Sequence, residues 1–133
     1  MTARNDEGEI AWVLRAKNSS VHVEGGKEID AVATGVSGEL FQKGEVASRY
    51  QSEKGLANDV KRTLRLDGKV QVTSEAQKVT LTADRVEWME DRQLIAARGS
   101  VWVKSADYEM GPLPELWATP DLKRVGSPDR FKK

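Results

Sequence analysis

Apolar residues fall at every second position in two stretches of this chain that resemble each other. Leu64–Val72 is repeated 31 positions later as Ile95–Val103, and a glycine, Gly68 or Gly99, lies at the same place in each copy. Strict alternation predicts a strand with one apolar face. A glycine inside a strand indicates a bend, a bulge or a close backbone approach. The repeat therefore predicts a stack of similar bent β-units, which is typical of a platform or trough.

Shorter segments alternate in the same way and are separated by turn formers. They are Ile10–Lys17, Val21–Glu24, Val46–Tyr50, Val79–Ala83 and Val86–Trp88. Gly25–Gly26 ends the second segment, and residues 42–45 and 89–93 are polar turns. We predict an all-β domain of short antiparallel strands.

Three regions depart from this pattern. Residues 1–9 are polar, and we expect a flexible lead before the β-domain of residues 10–110. Residues 56–61 are compatible with a short helix or a loop, because Asn58 and Asp59 favour turns. Four prolines lie in residues 111–133, so we expect a tail with at most one edge strand near Leu116–Ala118.

The composition sets broad limits on partners and compartment. The 133 residues carry 21 basic and 21 acidic side chains, which gives no electrostatic reason to expect nucleic acid as a partner. The chain has no cysteine, so thiol catalysis, thiolate metal sites and disulfides are excluded while the compartment stays open. No apolar run is long enough to cross a bilayer, and the start does not resemble a signal peptide. The protein is either cytosolic or begins after a removed targeting or anchoring segment.

Residues suited to catalysis are sparse. His22 is the single histidine, so neither a histidine pair for a metal nor a histidine relay is available. The acidic pairs Asp84 with Glu87 and Glu90 with Asp91 lie near turns, where turn chemistry accounts for them. We see no phosphate-binding loop or nucleophile elbow, and we expect no enzyme activity, cofactor or metal.

The order of these motifs resembles a known family. Val79–Val103 contains an apolar strand ending in Ala83-Asp84, then Trp88, an acidic turn and a closing Gly-x-Val-x-Val phrase. Leu64–Val72 fits the closing phrase, and Trp12–Lys17 is similar to a Trp-x-Leu-x-Ala opening strand. Over residues 10–105 the chain resembles the LptC family of periplasmic lipopolysaccharide-export proteins, in the OstA-like superfamily.

The resemblance implies a bent, open β-jellyroll whose groove holds lipopolysaccharide acyl chains. It also implies a periplasmic location, with a tether to the inner membrane through an N-terminal helix absent from this chain. The expected partners are an inner-membrane ABC exporter, which supplies the lipid, and a periplasmic bridge protein of the same fold, which receives it by edge-strand pairing. Edge strands near residues 10–17 and 101–108 are expected to serve that pairing or self-association.

The proposed groove consists of the apolar faces of the alternating strands. Its residues are Trp12, Leu14, Leu64, Leu66, Val70, Val72, Val79, Leu81, Val86, Trp88, Ile95, Val101 and Val103. By periodicity alone the same residues fit the closed core of a β-sandwich, which makes a structural interaction module without a lipid ligand the alternative function. A carbohydrate-active β-solenoid enzyme is a third possibility. Trp102 and Trp117 fall outside the apolar set, and we expect Trp102 to point outward as a partner surface or under the tail.

Overall fold

The computed structural model is one open antiparallel sheet in which strands follow one another in space as they do in sequence. It describes residues 1–24, 28–58 and 61–131, without the side chains of residues 21–30. The nine strands found there are β1 Thr2–Arg4, β2 Ile10–Glu24, β3 Glu28–Gln42, β4 Glu45–Asn58, β5 Thr63–Ser74, β6 Val79–Met89, β7 Leu94–Lys104, β8 Glu109–Ala118 and β9 Val125–Gly126. A 3₁₀ helix follows at Pro128–Arg130. The predicted all-β class and bent, open, jellyroll-like sheet are confirmed.

A line of β-bulges crosses the sheet from β4 to β8. The register shifts between residues 51 and 54, 67 and 70, 82 and 85, and 98 and 101, each next to the shift on the neighbouring strand. Bulges bend a strand and increase its twist. Because the bulges are aligned, the strands bend together and the sheet curls over its own inner face.

The two glycines of the sequence repeat lie on this line. Gly68 and Gly99 have φ values of 84° and 82°, and the residues after them, Lys69 and Ser100, both have φ of 46°. Glycine adopts this left-handed backbone without the penalty that a Cβ brings. The predicted bend is therefore a bulge with the same conformation in both copies.

The repeat also contains a close approach between strands. A Cβ on Gly68 would lie 2.5 Å from a carboxylate oxygen of Glu53, and one on Gly99 would lie 2.6 Å from a carboxylate oxygen of Asp84. Glu53 and Asp84 are themselves separated by the 31-residue period of the glycines. The repeating unit is consequently a whole hairpin, first β4–β5 and then β6–β7.

Both ends of the chain extend the sheet further than the sequence indicates. Residues 2–4, within the expected flexible lead, form β1, and the Met1 ammonium donates to the Leu14 carbonyl oxygen at 3.0 Å. β4 continues to Asn58, where a helix or loop was expected, because Leu56 and Ala57 pair with β5. The Gly25–Gly26 turn and residues 59–60 lie outside the described residues.

β8 corrects the expected position of the second edge. Residues 101–108 were expected at an edge, but β7 pairs with β6 on one side and with β8 on the other. Pro112 and Pro114 are two residues apart, so their nitrogens face the same side of β8. β9 pairs only with Trp117 and Ala118, which leaves the outer side of β8 unpaired beside the prolines. Proline is tolerated on such an edge.

Side chains at one end of the curled sheet clasp it. Arg62, in the turn between β4 and β5, forms ion pairs with Asp6 from the β1–β2 loop and with Glu90 from the β6–β7 turn. These three segments are distant in sequence and in strand order, so their meeting shows how far the sheet curls. The described residues contain no helix long and apolar enough to span a membrane.

We expect Gly99→Ala to lower the free energy of unfolding by more than Gly8→Ala. Both glycines have φ of 82°, but a Cβ on Gly8 has open space around it, whereas one on Gly99 meets Asp84. Left-handed backbone should cost about 1–2 kcal/mol in each variant. Overpacking against Asp84 should add about 1–3 kcal/mol in Gly99→Ala alone. Urea unfolding measures both values.

Asp84→Gly tests the cause of this difference. In a double-mutant cycle, Gly99→Ala should lose its extra cost when Asp84 has no side chain. Equal costs for Gly8→Ala and Gly99→Ala in the native background would contradict the close approach.

Candidate functional site

The thirteen residues predicted to line a groove are all buried, and they belong to one apolar cluster. Their exposed fractions are 6% or less, and the cluster runs from Ala3 in β1 to Leu122 beyond β8. The bend brings them together because it turns the inner faces of the two halves of the sheet toward each other. A lipid-carrying interior and a filled core both require this arrangement.

The cluster also contains buried residues that the sequence analysis did not place in it. Val36, Leu40, Tyr50, Leu116 and Leu122 are examples. Leu116 and Ala118 do alternate in sequence, but the neighbouring prolines obscured the signal. Leu122 lies in a loop and has no periodic partner, so no sequence pattern could have identified it.

The loop between β8 and β9 carries Leu122 into the interior. Leu122 is 2% exposed and has φ of 58°, in a region that bulky side chains seldom occupy. The loop is held by its own hydrogen bonds: the Thr119 hydroxyl donates to Asp121 Oδ1 at 2.7 Å, and the Leu122 amide donates to the Thr119 carbonyl at 2.9 Å. Its contact with the rest of the interior is therefore apolar.

Two buried polar atoms of the interior have no hydrogen-bond partner among the described residues. They are Trp12 Nε1 and Ser48 Oγ. In the sheet register both residues lie opposite Leu40, one from β2 and the other from β4. Trp88, in contrast, donates from Nε1 to Glu90 at 2.7 Å.

A polar cavity of about 810 Å³ opens at the clasped end of the sheet. It is lined by Asn5, Asp6, Glu7, Glu9, Phe41, Gln42, Lys43, Lys61, Arg62, Glu90, Asp91, Gln93 and Pro120. None of the thirteen predicted groove residues lines it. Pro120 is fully buried and lies in the same loop as Leu122, so the cavity adjoins the loop that closes this end.

The outer face of β5 to β8 carries a ladder of alternating charges. Asp67 accepts hydrogen bonds from Arg65 at 3.0 Å and from Arg85 at 2.7 Å. Arg98 donates to Glu87 at 3.0 Å and to Glu115 at 2.9 Å, and the hydrogen bond to Glu115 raises the pKa of Arg98. Each exposed pair contributes about 0–1 kcal/mol, so the ladder favours the register more than it stabilises the fold.

The acidic pairs near turns are placed separately. Asp84 packs against Gly99, while Glu87 and Glu90 are bonded to Arg98 and Trp88 respectively. Across the described residues, no three histidine, aspartate or glutamate side chains are grouped so that they could hold a metal ion. The His22 side chain lies outside the described residues.

The two tryptophans outside the apolar set have different surroundings. Trp102 is half-buried and lies against Gly111, with Lys104 Nζ 5.7 Å from its ring centroid. Trp117 is buried on the outer face in a small cluster with Leu94 and Ala96. The tail covers it, because the Phe131 ring lies 6.3 Å away.

Tyr50 links three strands within the interior. Its hydroxyl donates to the Val13 carbonyl at 2.6 Å by passing over Gly38. A Cβ on Gly38 would lie 2.4 Å from the Tyr50 hydroxyl, so only glycine leaves room for this path. Burial, and to a lesser extent the charge of Glu39, raises the pKa of Tyr50 far above its ordinary value of 10.0.

We expect Tyr50→Phe to lower the free energy of unfolding by about 1–3 kcal/mol at about pH 8, because the Val13 carbonyl would lose its partner. The difference from the native protein should shrink above pH 10. There unfolded Tyr50 ionises while folded Tyr50 keeps its proton, so the native protein loses about 1.4 kcal/mol per pH unit and the variant does not.

Urea unfolding at about pH 8 and about pH 11 measures this narrowing. Tyr108→Phe is the matched control, since Tyr108 is 48% exposed, and it should show neither effect. A pH-independent difference for Tyr50→Phe would contradict the raised pKa.

Comparison with known proteins gives a negative result at the level of sequence. No protein-family model matches the chain, and no curated protein matches it either. The resemblance to the lipopolysaccharide-export family consequently rests on the order and spacing of short motifs within residues 10–105. What the chain binds must be argued from its fold and surfaces.

Proposed function

We propose that this protein carries lipid acyl chains inside its bent sheet, as a periplasmic component of lipopolysaccharide export. It would receive lipopolysaccharide from an inner-membrane ABC exporter and pass it to a periplasmic bridge protein. The observation that carries the proposal is the continuous apolar cluster inside a sheet whose two outer strands, β1 and β9, do not pair with each other.

An open sheet of this kind can admit a ligand at low cost in hydrogen bonds. If the two halves move apart, the ladders between neighbouring strands stay intact and only apolar contacts across the interior are lost. Acyl chains restore those contacts, since each buried CH₂ is worth about 0.8 kcal/mol. A polar anchor is therefore unnecessary for the chains themselves.

The edges of the sheet support the proposed transfer between proteins. β1 pairs with β2 only as far as Val13, so the outer side of β2 is unpaired from Arg15 onward. The side chains of Arg15, Lys17, Asn18, Ser19 and Ser20 are mostly exposed and polar. A free main-chain edge with a polar surround suits strand addition from a partner. The prolines of β8 disfavour the same pairing at the opposite edge.

A structural interaction module with a filled core is the second candidate. It is favoured by the low exposure of the thirteen predicted groove residues and by their absence from the linings of the cavities described above. The two candidates differ in one property: lipid reaches the interior only in the first.

Photo-crosslinking to purified lipopolysaccharide tests this difference. A diazirine amino acid of leucine-like size is placed at Val72, Leu81 or Val103, with Lys69 as the exposed control on the same bulge line. We expect lipid adducts at the three interior positions and none at Lys69, because only interior side chains would contact acyl chains. Gel electrophoresis with lipopolysaccharide detection measures the adducts.

Circular dichroism and thermal unfolding establish that each labelled variant folds. Folded variants that give no adduct at Val72, Leu81 or Val103 would favour the filled core and an interaction module.

A further inference from the structure

Two adjacent cavities lie on the outer side of the C-terminal segment, away from the interior. One has a volume of about 430 Å³ and is lined by Lys123, Arg124, Val125, Arg130 and Phe131. The other has a volume of about 720 Å³ and is lined by Met110, Leu113, Pro114, Glu115, Leu116, Val125, Gly126, Ser127, Pro128 and Arg130. They share Val125 and Arg130, so together they form one continuous depression.

The smaller cavity is cationic. Three of its five lining residues are Lys123, Arg124 and Arg130, and none of its lining residues is acidic. Within the described part of the chain these three cations form no ion pair, and Arg124 is stacked on Phe131 with its guanidinium carbon 5.0 Å from the ring centroid. Two guanidinium groups and an ammonium suit a phosphate, because arginine binds phosphate oxygens in a bidentate manner.

The larger cavity is mainly apolar. Met110, Leu113 and Leu116 line it together with Pro114 and Pro128. Its one carboxylate, Glu115, already accepts a hydrogen bond from Arg98 at 2.9 Å. The depression thus changes from cationic to apolar at Val125 and Arg130.

An extended peptide is a poor occupant of the apolar part. A peptide that adds to the outer side of β8 requires main-chain donors there, and Pro112 and Pro114 remove two of them. An acyl chain needs no such donors and gains from burial of each CH₂.

We propose that this depression binds a single anionic amphiphile of the phospholipid type. The phosphate lies among Lys123, Arg124 and Arg130, and the acyl chain lies along Leu113 and Leu116. The site is outside the curled sheet and does not depend on the proposed transport of lipid through the interior.

Isothermal titration with dodecyl phosphate, below its micelle concentration, tests the site. Inorganic phosphate supplies the head group alone, and dodecyl maltoside supplies the chain with an uncharged head. We expect dodecyl phosphate to bind at least about tenfold more tightly than either, because only it matches both parts of the depression.

Arg124→Gln combined with Arg130→Gln should weaken dodecyl phosphate binding by at least about tenfold. Lys54→Gln combined with Lys78→Gln removes the same charge from exposed positions elsewhere and should leave the affinity unchanged. An unchanged affinity in the arginine variant would place the amphiphile elsewhere, the interior included, and would overturn the proposal.

Gly126→Ala offers a test that keeps every charge. A Cβ on Gly126 would lie 2.8 Å from Arg130 Cδ, and the flexible arginine side chain can move away. We expect binding to weaken by about threefold as Arg130 is displaced. Equal affinity for inorganic phosphate and dodecyl phosphate would reduce the site to a simple anion site, and equal affinity for dodecyl maltoside would reduce it to an apolar groove; either result overturns the proposal.

Discussion

The left-handed backbone at the bulge line is the constraint on which the rest of the structure depends. A single antiparallel sheet has two faces and no second layer to cover either one. Here the bulges at Gly68 and Gly99 bend neighbouring strands at the same level, so the sheet covers its own inner face. The buried cluster, the clasp at Arg62 and the closing loop at Leu122 all require that bend.

The bend also separates two kinds of stabilisation within the molecule. Hydrogen bonds connect each strand to its neighbours in sequence, whereas contacts between the two halves are made by apolar side chains and a few ion pairs at the clasped end. Such a molecule resists fraying along its strands more strongly than it resists opening between its halves. That difference suits a carrier, and it holds equally for a scaffold that never opens.

The alternating pattern predicted the interior well because the pattern and the burial have the same physical cause. The change of phase in β6, from Val79 and Leu81 to Val86 and Trp88, was visible in sequence and corresponds to the bulge between residues 82 and 85. The extent of the sheet at its ends was less predictable. β1 depends on pairing with β2, and β8 includes prolines that are acceptable only because the outer edge beside them is unpaired. Neither condition is a property of the local sequence.

The candidate sites differ in the same way. Alternation identified the thirteen interior residues, but Leu122 enters the interior from a loop, and the three cations of the outer depression come together through the folding of the tail over Trp117. Their common location depends on β9 and the 3₁₀ helix, for which the sequence contains only glycine and proline signals.

The 31-residue hairpin has a consequence for how a chain of this architecture can change in length. Each hairpin carries one glycine bulge, one acidic side chain packed against it, and the same alternation on both sides of the bend. A single inserted residue in a strand would turn every following side chain to the wrong face. Insertion or loss of a complete hairpin would leave the bulge line continuous. Divergence in size should therefore occur by whole hairpins or within turns, and the length of the enclosed interior should change in steps of one hairpin.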